Sequence, residues 1–152
     1  MGAKKKLVVI DTNVFVIDLR YQRDQKFDVN RQFLTGIATA GSGVTTTYNL
    51  LEVCGILSFN LNGQQLTELF MYFGQHYEIR VMPVSDLQAP LPFFTVNQIF
   101  EQICKKTALG DALILSTIDQ YVPVADAIVS WDKGHLAGKT GLPVLTPEEF
   151  LA

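Results

Sequence analysis

The stretch from residue 7 to residue 16, LVVIDTNVFV, places three β-branched residues directly before an aspartate. A run such as Val8 to Ile10 is typical of a central strand covered by helices on both faces of a parallel sheet. Asp11 then follows the carboxyl end of that strand, at the edge where open α/β sheets bind ligands. Alternatively, an aspartate here caps the next helix or shapes a turn. Asp11 alone therefore does not decide between a ligand-binding role and a structural role.

Strand-like and helix-like patterns alternate along the rest of the chain. The segments GVTTT, YEIRVMPV, DAIVS and GLPVL have strand character, and segments with helical apolar spacing separate them. This alternation predicts a three-layer α/β/α sandwich around a mainly parallel central sheet. The 152 residues are 48% hydrophobic and contain no linker-like segment, which predicts one domain over residues 1–152. Within it, we expect the apolar helix TYNLLEVCGILSFNL to end at Asn62-Gly63, and Cys54 and Cys104 to fill the core.

Composition limits the class of protein. No apolar run approaches the roughly 18 residues of a membrane span, and MGAKKK leads directly into a strand, so we expect an untargeted cytoplasmic protein. The net charge of −3 argues against a general DNA-coating protein. Local basic residues could still contact nucleic acid, although a solvated surface role is the commoner one for such residues: Lys4 to Lys6, Arg20, Arg23, Arg31, Lys105 and Lys106.

Three further carboxylates stand at informative positions. Glu52 lies in a strongly apolar helix, so it either occupies a narrow solvent stripe or points inward and needs a partner. Asp111 begins a helix, where an N-cap or first-turn acid is common, and Asp132 follows the strand AIVS in an ordinary turn sequence. Taken together with Asp11, these residues can all face one edge of a parallel α/β sheet.

A cluster of four carboxylates needs neutralisation. Two unit charges about 4 Å apart repel by on the order of 4 kcal/mol at an effective dielectric constant of ~20. Protons or divalent cations would relieve this repulsion, and all-oxygen ligands favour Mg²⁺ or Mn²⁺ over zinc. Asn13 or Thr12 could hydrogen-bond a carboxylate or a metal-bound water. Lys133 could contact a phosphate and Thr46 could line the cleft, but a surface role for Lys133 and a helix-capping role for Thr46 are the simpler interpretations.

The ordered set of acidic motifs resembles that of PIN-domain proteins. It comprises IDTNVF, Glu52, LGDALI and VSWDKGHL, and the ending GLPVLTPEEFLA resembles the toxin branch of that family, so the match spans Leu7 to Ala152. The resemblance implies a metal-dependent endoribonuclease, often the toxin of a type II toxin–antitoxin pair, with Mg²⁺ or Mn²⁺ as cofactor. It carries over Asp11, Glu52, Asp111 and Asp132 as catalytic and metal-binding acids, with Asn13 as a supporting polar residue.

The sequence departs from the family pattern after the fourth acid. The family commonly has an Asp-Phe pair there, whereas Lys133, Gly134 and His135 follow Asp132. The geometry of this position and the number of metal ions therefore stay open. The choice between RNA and DNA as substrate also stays open, because metal-assisted cleavage does not depend on the sugar.

Other functions and partners follow from the same residues. A non-catalytic PIN-like module that binds RNA or protein is the main alternative, whereas an aspartyl-phosphate phosphatase is disfavoured because Asn13 stands where its second aspartate is expected. The expected partners are an RNA substrate, an antitoxin protein and a second copy of the chain. We expect no association with a membrane. The dimer surface would involve LPFF at residues 91–94, with Phe70, Tyr72 and Phe73 nearby in sequence.

Overall fold

The computed structural model describes residues 5–152, so Lys4, one of the basic candidates, lies outside the described residues. Its sheet has five strands in the order β3-β2-β1-β4-β5, and all four strand pairs are parallel. The strands are β1 Val8–Ile10, β2 Gly43–Thr46, β3 Arg80–Met82, β4 Ala127–Val129 and β5 Val144–Leu145. The first strand of the chain is thus the central one, between β2 and β4. This confirms the buried position expected of Val8 to Ile10.

Helices cover both faces of the sheet. They are α1 Thr12–Arg20, α2 Phe27–Ala40, α3 Thr47–Leu57, α4 Gly63–Tyr77, α5 Val96–Ile103, α6 Leu109–Tyr121, α7 Lys133–Leu136 and α8 Pro147–Leu151. Val8 and Ile10 pack in one core with α1, α2, α3 and α4, whereas Val9 packs with α6 in a second core. Successive side chains of a strand point to opposite faces, which explains the division. The predicted three-layer sandwich is confirmed.

A buried polar cluster joins the helices of the larger core. Phe15, Phe73 and Tyr77 pack with ring centroids 4.7 to 5.0 Å apart. Beside them, the Tyr77 hydroxyl donates a 2.7 Å hydrogen bond to Asp18, and Arg31 pairs with the other oxygen of the same carboxylate at 2.8 Å. Asp18 is buried and Arg31 is half-exposed, so the negative charge of the buried carboxylate is balanced by a guanidinium that reaches solvent. The cluster ties α1, α2 and α4 together.

Several local expectations need correction. The helix α3 ends at Leu57 rather than at Asn62, because the Asn62 side chain accepts a hydrogen bond from the Gln65 backbone N–H and starts α4 with a capping box. Cys104 is exposed rather than in the core, since it stands at the C-terminal end of α5, whereas Cys54 packs partly buried against the larger core. No helix within residues 5–152 combines the length and hydropathy needed to cross a bilayer.

Candidate functional site

The Asp11 carboxylate lies between β1 and β4 at the carboxyl edge of the sheet. Its residue is only 9% exposed, and its backbone N–H donates to the carbonyl of Val129 at 2.9 Å. Oδ2 accepts a 2.7 Å hydrogen bond from Ser130 Oγ, and Oδ1 accepts a 3.1 Å bond from Asn49 Nδ2. Although Asp11 is the N-cap residue of α1, its side chain makes no capping hydrogen bond within the described chain. The capping interpretation of Asp11 is therefore not the one that the structure supports.

The electrostatic surroundings of Asp11 disfavour its ionised form. The pKa of Asp11 is raised from 3.8 to about 6, mainly by burial and to a smaller extent by the negative charges of Glu52 and Asp111. The hydrogen bond from Ser130 and the adjacent backbone N–H of Thr12 act in the opposite direction on this pKa. Glu52 and Asp111 are thus close enough to influence Asp11. A bound cation would favour the ionised form of the Asp11 carboxylate.

Glu52 projects from α3 toward the start of α6. The residue is exposed, as the solvent-stripe interpretation expected. A Cβ atom built on Gly110 would lie 3.4 Å from Glu52 Oε2, so this carboxylate reaches the first turn of α6, where Asp111 follows Gly110. The structure therefore supports the solvent-stripe interpretation of Glu52 over the inward one, although its carboxylate also approaches the helix turn that contains Asp111.

Asp111 stands in the first turn of α6, after the N-cap residue Ala108. Burial raises the pKa of Asp111, and the charge of Asp132 also raises it, whereas His135, when protonated, and Lys139 lower it. The side chains of His135 and Lys139 are therefore close enough to Asp111 to affect its pKa. Lys139 was not among the basic residues singled out from the sequence, because nothing in its neighbourhood marks it as part of a motif.

Asp132 opens the short helix α7 and is exposed. Its Oδ2 lies 3.1 Å from His135 Nδ1, and its backbone N–H donates to Ser130 Oγ at 3.0 Å. Lys133, by contrast, pairs with the Glu149 carboxylate on α8 at 3.0 Å. Lys133 is therefore paired with α8 rather than with Asp132, and the basic side chains that act on Asp111 are those of His135 and Lys139.

The supporting polar residues form a connected network. Asn13 donates to Ser130 Oγ at 3.0 Å and accepts from the Trp131 backbone N–H at 3.0 Å. Thr12 Oγ1 accepts a 3.0 Å bond from Asn49. Thr46 caps α3, as its simpler interpretation predicted, because its side chain accepts from the Asn49 backbone N–H. Asn13 and Thr12 therefore support the Asp11 region, and Thr46 has its role in the helix cap.

Sequence reasoning missed the two residues that contact the Asp11 carboxylate most directly. Ser130 directly follows β4, the neighbour of β1, and stands two positions before Asp132, so the alignment of strand ends could have indicated this region but not the residue itself. Asn49 lies one helical turn before Glu52 on α3, which places both on the same side of that helix. Both are buried, whereas motif reasoning weighed charged residues rather than neutral ones.

The acids fit a hard divalent ion by their chemistry. Within residues 5–152, no three side chains of His, Cys, Asp or Glu stand close enough together to hold an ion jointly. Mg²⁺ usually keeps several waters and is bound by only one or two protein carboxylates, so a set of spaced acids suits it. Each oxygen of an ionised carboxylate has two acceptor positions, and the bonds from Ser130 and Asn49 use one on each oxygen of Asp11.

Comparison with known proteins adds information on the fold. No protein-family model and no curated protein matches the sequence. The solved structure of FitAB bound to an IR36 DNA fragment contains a chain 20% identical to this one, with 93% of this chain and 95% of that chain covered and a TM-score of 0.57. The crystal structure of FitAcB from Neisseria gonorrhoeae contains a chain 18% identical, with 93% and 99% covered and a TM-score of 0.59. These matches confirm the three-layer α/β/α fold that the alternation of strands and helices predicted.

Proposed function

We propose that this chain is a Mg²⁺- or Mn²⁺-dependent endoribonuclease that acts as the toxin of a toxin–antitoxin pair. The observation that carries the proposal is the buried Asp11 carboxylate at the carboxyl edge of the central strand, with the charges of Glu52 and Asp111 acting on it. A protein gains no stability from placing like charges around a buried acid. A cation-binding role explains why the chain contains this arrangement.

In the proposed hydrolysis of a phosphodiester bond, each residue of the site would have its own role. A divalent ion, when bound, would polarise the scissile phosphate and lower the pKa of a water molecule. Asp11 and Asp111 would hold the ion, and the exposed Glu52 would orient the attacking water and accept its proton. As the water oxygen bonds to phosphorus, the bond from phosphorus to the leaving sugar oxygen would break, and that oxygen would take a proton from solvent. Asp132 would hold His135 in place through their 3.1 Å contact. His135 and Lys139 would attract the phosphate backbone of RNA to an otherwise acidic protein.

Protein partners are a further part of the proposal. The fold is shared with chains from structures named FitAB and FitAcB, and together with the resemblance to toxin-branch sequences this supports an antitoxin as partner. The proposed homodimer would use the surface from Leu91 to Ile103, where Phe93 is 83% exposed and Val96 is 86% exposed. Exposed apolar clusters of this kind mark interaction sites. Phe70 and Phe73 are buried in the larger core, so they do not contribute to it.

The experiment that tests the enzyme proposal compares the full chain with Asp11→Asn on a mixed RNA pool. Each protein is incubated with Mg²⁺, with Mn²⁺ and with chelator, and circular dichroism verifies that the variant is folded. Metal-dependent cleavage by the wild type that is lost in the variant supports the proposal. The same assay with single-stranded DNA separates a ribonuclease from a general nuclease. A folded wild type that neither cleaves RNA nor binds Mn²⁺ contradicts the proposal.

One observation favours a second function, a non-catalytic module that binds RNA or protein. The basic side chains of His135 and Lys139 act on Asp111, and they would attract RNA without a metal ion. A binding module would retain the fold and the basic side chains beside Asp111, and it would bind RNA equally well with chelator present. Filter binding of the RNA pool with and without Mg²⁺ distinguishes this module from the nuclease.

A further inference from the structure

Asn49 is held in one orientation inside the protein. The residue is fully buried, and its Oδ1 accepts bonds from Thr46 Oγ1 at 2.7 Å and from the Thr46 backbone N–H at 3.3 Å. Its Nδ2 donates to Asp11 Oδ1 at 3.1 Å and to Thr12 Oγ1 at 3.0 Å. Because two donors hold the amide oxygen, the amide nitrogen must face Asp11. A flipped amide would place its N–H groups against the donors of Thr46.

The position of Asn49 on α3 links two of the acids. Asn49 precedes Glu52 by three residues, so both side chains lie on the same side of the helix, one turn apart. The helix that presents Glu52 to the site therefore also contacts Asp11 directly. A shift of α3 would have to break the bond between Asn49 and Asp11 before it changed the spacing of the two acids.

We propose that Asn49 is a positioning residue that fixes the Asp11 carboxylate for cation binding, a role that rests on the proposed metal-dependent function. A neutral amide suits this role. A lysine or arginine here would neutralise Asp11 and compete with a divalent ion, and a second carboxylate would add repulsion. An aliphatic side chain would leave Asp11 Oδ1 buried without its donor. The neutral amide donates to one acceptor position of Oδ1 and does not neutralise the carboxylate, which can still bind a cation.

The test compares Asn49→Ala with a matched control, Asn30→Ala. Asn30 is also fully buried, and its side chain also bridges two elements, since it donates to the Val14 carbonyl at 2.9 Å and accepts from Trp131 Nε1 at 2.7 Å. Mn²⁺ binding to the full chain is measured from the electron paramagnetic resonance signal of free Mn²⁺. We expect Asn49→Ala to weaken Mn²⁺ binding about 10- to 100-fold, as for the loss of other residues that orient metal ligands. Asn30→Ala should bind Mn²⁺ like the wild type.

A second measurement needs no metal. Urea unfolding in the presence of chelator is recorded for Asn49→Ala, Asp11→Asn and the double variant. We expect the two changes to be non-additive in their shift of the unfolding midpoint, because the residues are in contact. The combination of Asn30→Ala with Asp11→Asn should be additive. If Asn49→Ala does not fold, Asn49→Ser replaces it, since the serine hydroxyl is too short to make the same bond.

The outcomes separate the positioning role from the proposed function. If the wild type binds Mn²⁺ and cleaves RNA, and Asn49→Ala binds Mn²⁺ as tightly as Asn30→Ala, the positioning role is wrong and the nuclease stands. If the wild type neither binds Mn²⁺ nor cleaves RNA, the proposed function fails and the positioning role fails with it. Weaker Mn²⁺ binding by Asn49→Ala alone, together with non-additive unfolding, supports the positioning role.

Discussion

Ser130 donates its hydroxyl to Asp11 Oδ2 at 2.7 Å, although 119 residues separate the two in sequence. The same hydroxyl oxygen accepts the backbone N–H of Asp132 and the side-chain amide of Asn13, each at 3.0 Å. A single buried oxygen thus connects the first predicted acid with the fourth. This contact exists because β1 and β4 are neighbours whose carboxyl ends stand side by side.

Ser130→Ala tests this connection. The change removes one donor from Asp11 and one acceptor from two N–H groups, so we expect a loss of about 1–3 kcal/mol in the free energy of unfolding. Urea unfolding at pH 7.5 measures the loss. Ser42→Ala is the control, because Ser42 is also buried but precedes β2 at the opposite edge of the sheet. Equal stability of the two variants would contradict the structural role of Ser130.

Asp11→Asn should stabilise the protein at neutral pH in the absence of metal. The pKa of Asp11 in the folded protein, about 6, exceeds its ordinary value of 3.8, so the folded state binds the proton more tightly. The resulting stability is fully present below about pH 4 and is lost as the pH rises through 6. At pH 7.5 the wild type therefore contains a buried ionised acid, and its removal should gain about 1–3 kcal/mol.

The pH dependence of unfolding measures the Asp11 effect. Urea midpoints of wild type and Asp11→Asn are compared with chelator at pH 4 and at pH 7.5, and the advantage of the variant should be larger at pH 7.5. Added Mg²⁺ should reduce this advantage, because a ligand that binds the folded wild type stabilises it. A variant that is less stable than the wild type at pH 7.5 would show that the hydrogen bonds to Asp11 outweigh its burial.

Lys139→Ala should reduce cleavage of RNA, whereas Lys133→Ala should not. Lys139 lies close enough to Asp111 to lower its pKa, whereas Lys133 is paired with Glu149. We expect Lys139→Ala to lower kcat/KM about tenfold, equivalent to ~1.4 kcal/mol, through weaker attraction of the phosphate. The measurement is initial cleavage rate at increasing salt, since the difference between the two variants should shrink as salt screens the charge. A larger effect of Lys133→Ala would reverse the assignment.

Tyr77→Phe should lower the free energy of unfolding and change how that free energy depends on alkaline pH. Burial raises the pKa of Tyr77 well above its ordinary value of 10.0, and the hydrogen bond to Asp18 raises it further. The stability that the protonated phenol contributes is complete below pH 10 and is lost as the pH rises above it. The variant lacks the bond to Asp18, so we expect a loss of about 1.5–3 kcal/mol at pH 7.5 and a smaller difference at pH 10.5. Unfolding at both pH values tests this, and Mn²⁺ binding should stay unchanged.

The main features of the fold could be predicted because the sequence patterns have a direct physical meaning. The β-branched run before Asp11 indicated a strand covered on both faces, and alternating strands and helices indicated a parallel sheet. The sequence also contains a threonine followed three residues later by Gln or Glu at Thr95 and at Thr146, a pattern that predicts a helix start, and α5 and α8 begin directly after these residues. The end of α3 was placed wrongly because Asn62-Gly63 is compatible with both a stop and a start, and only the bond to Gln65 decides between them.

The candidate site was harder to predict. Parallel topology was enough to bring Glu52 and Asp111 toward Asp11, because it places their elements at one edge. Which neutral residues would contact Asp11 depends on the register of β4 against β1 and on the rotation of α3, and neither can be read from local patterns. Ser130 and Asn49 were therefore missed. The Lys133 side chain points to Glu149 on α8, a helix that approaches Lys133 only in the folded chain.

The central place of β1 has a kinetic consequence. The donors to Asp11 come from residues 38 and 119 positions away along the chain, on the two sides of that strand. Contacts of such sequence separation form late, because closing long loops costs entropy before the contacts are made. A partly folded chain would contain all four acids without the paired donors that fix Asp11. Under the proposed function, cation binding at Asp11 is therefore coupled to closure of the whole sheet, and a chain in which β4 is not paired with β1 should not bind Mn²⁺.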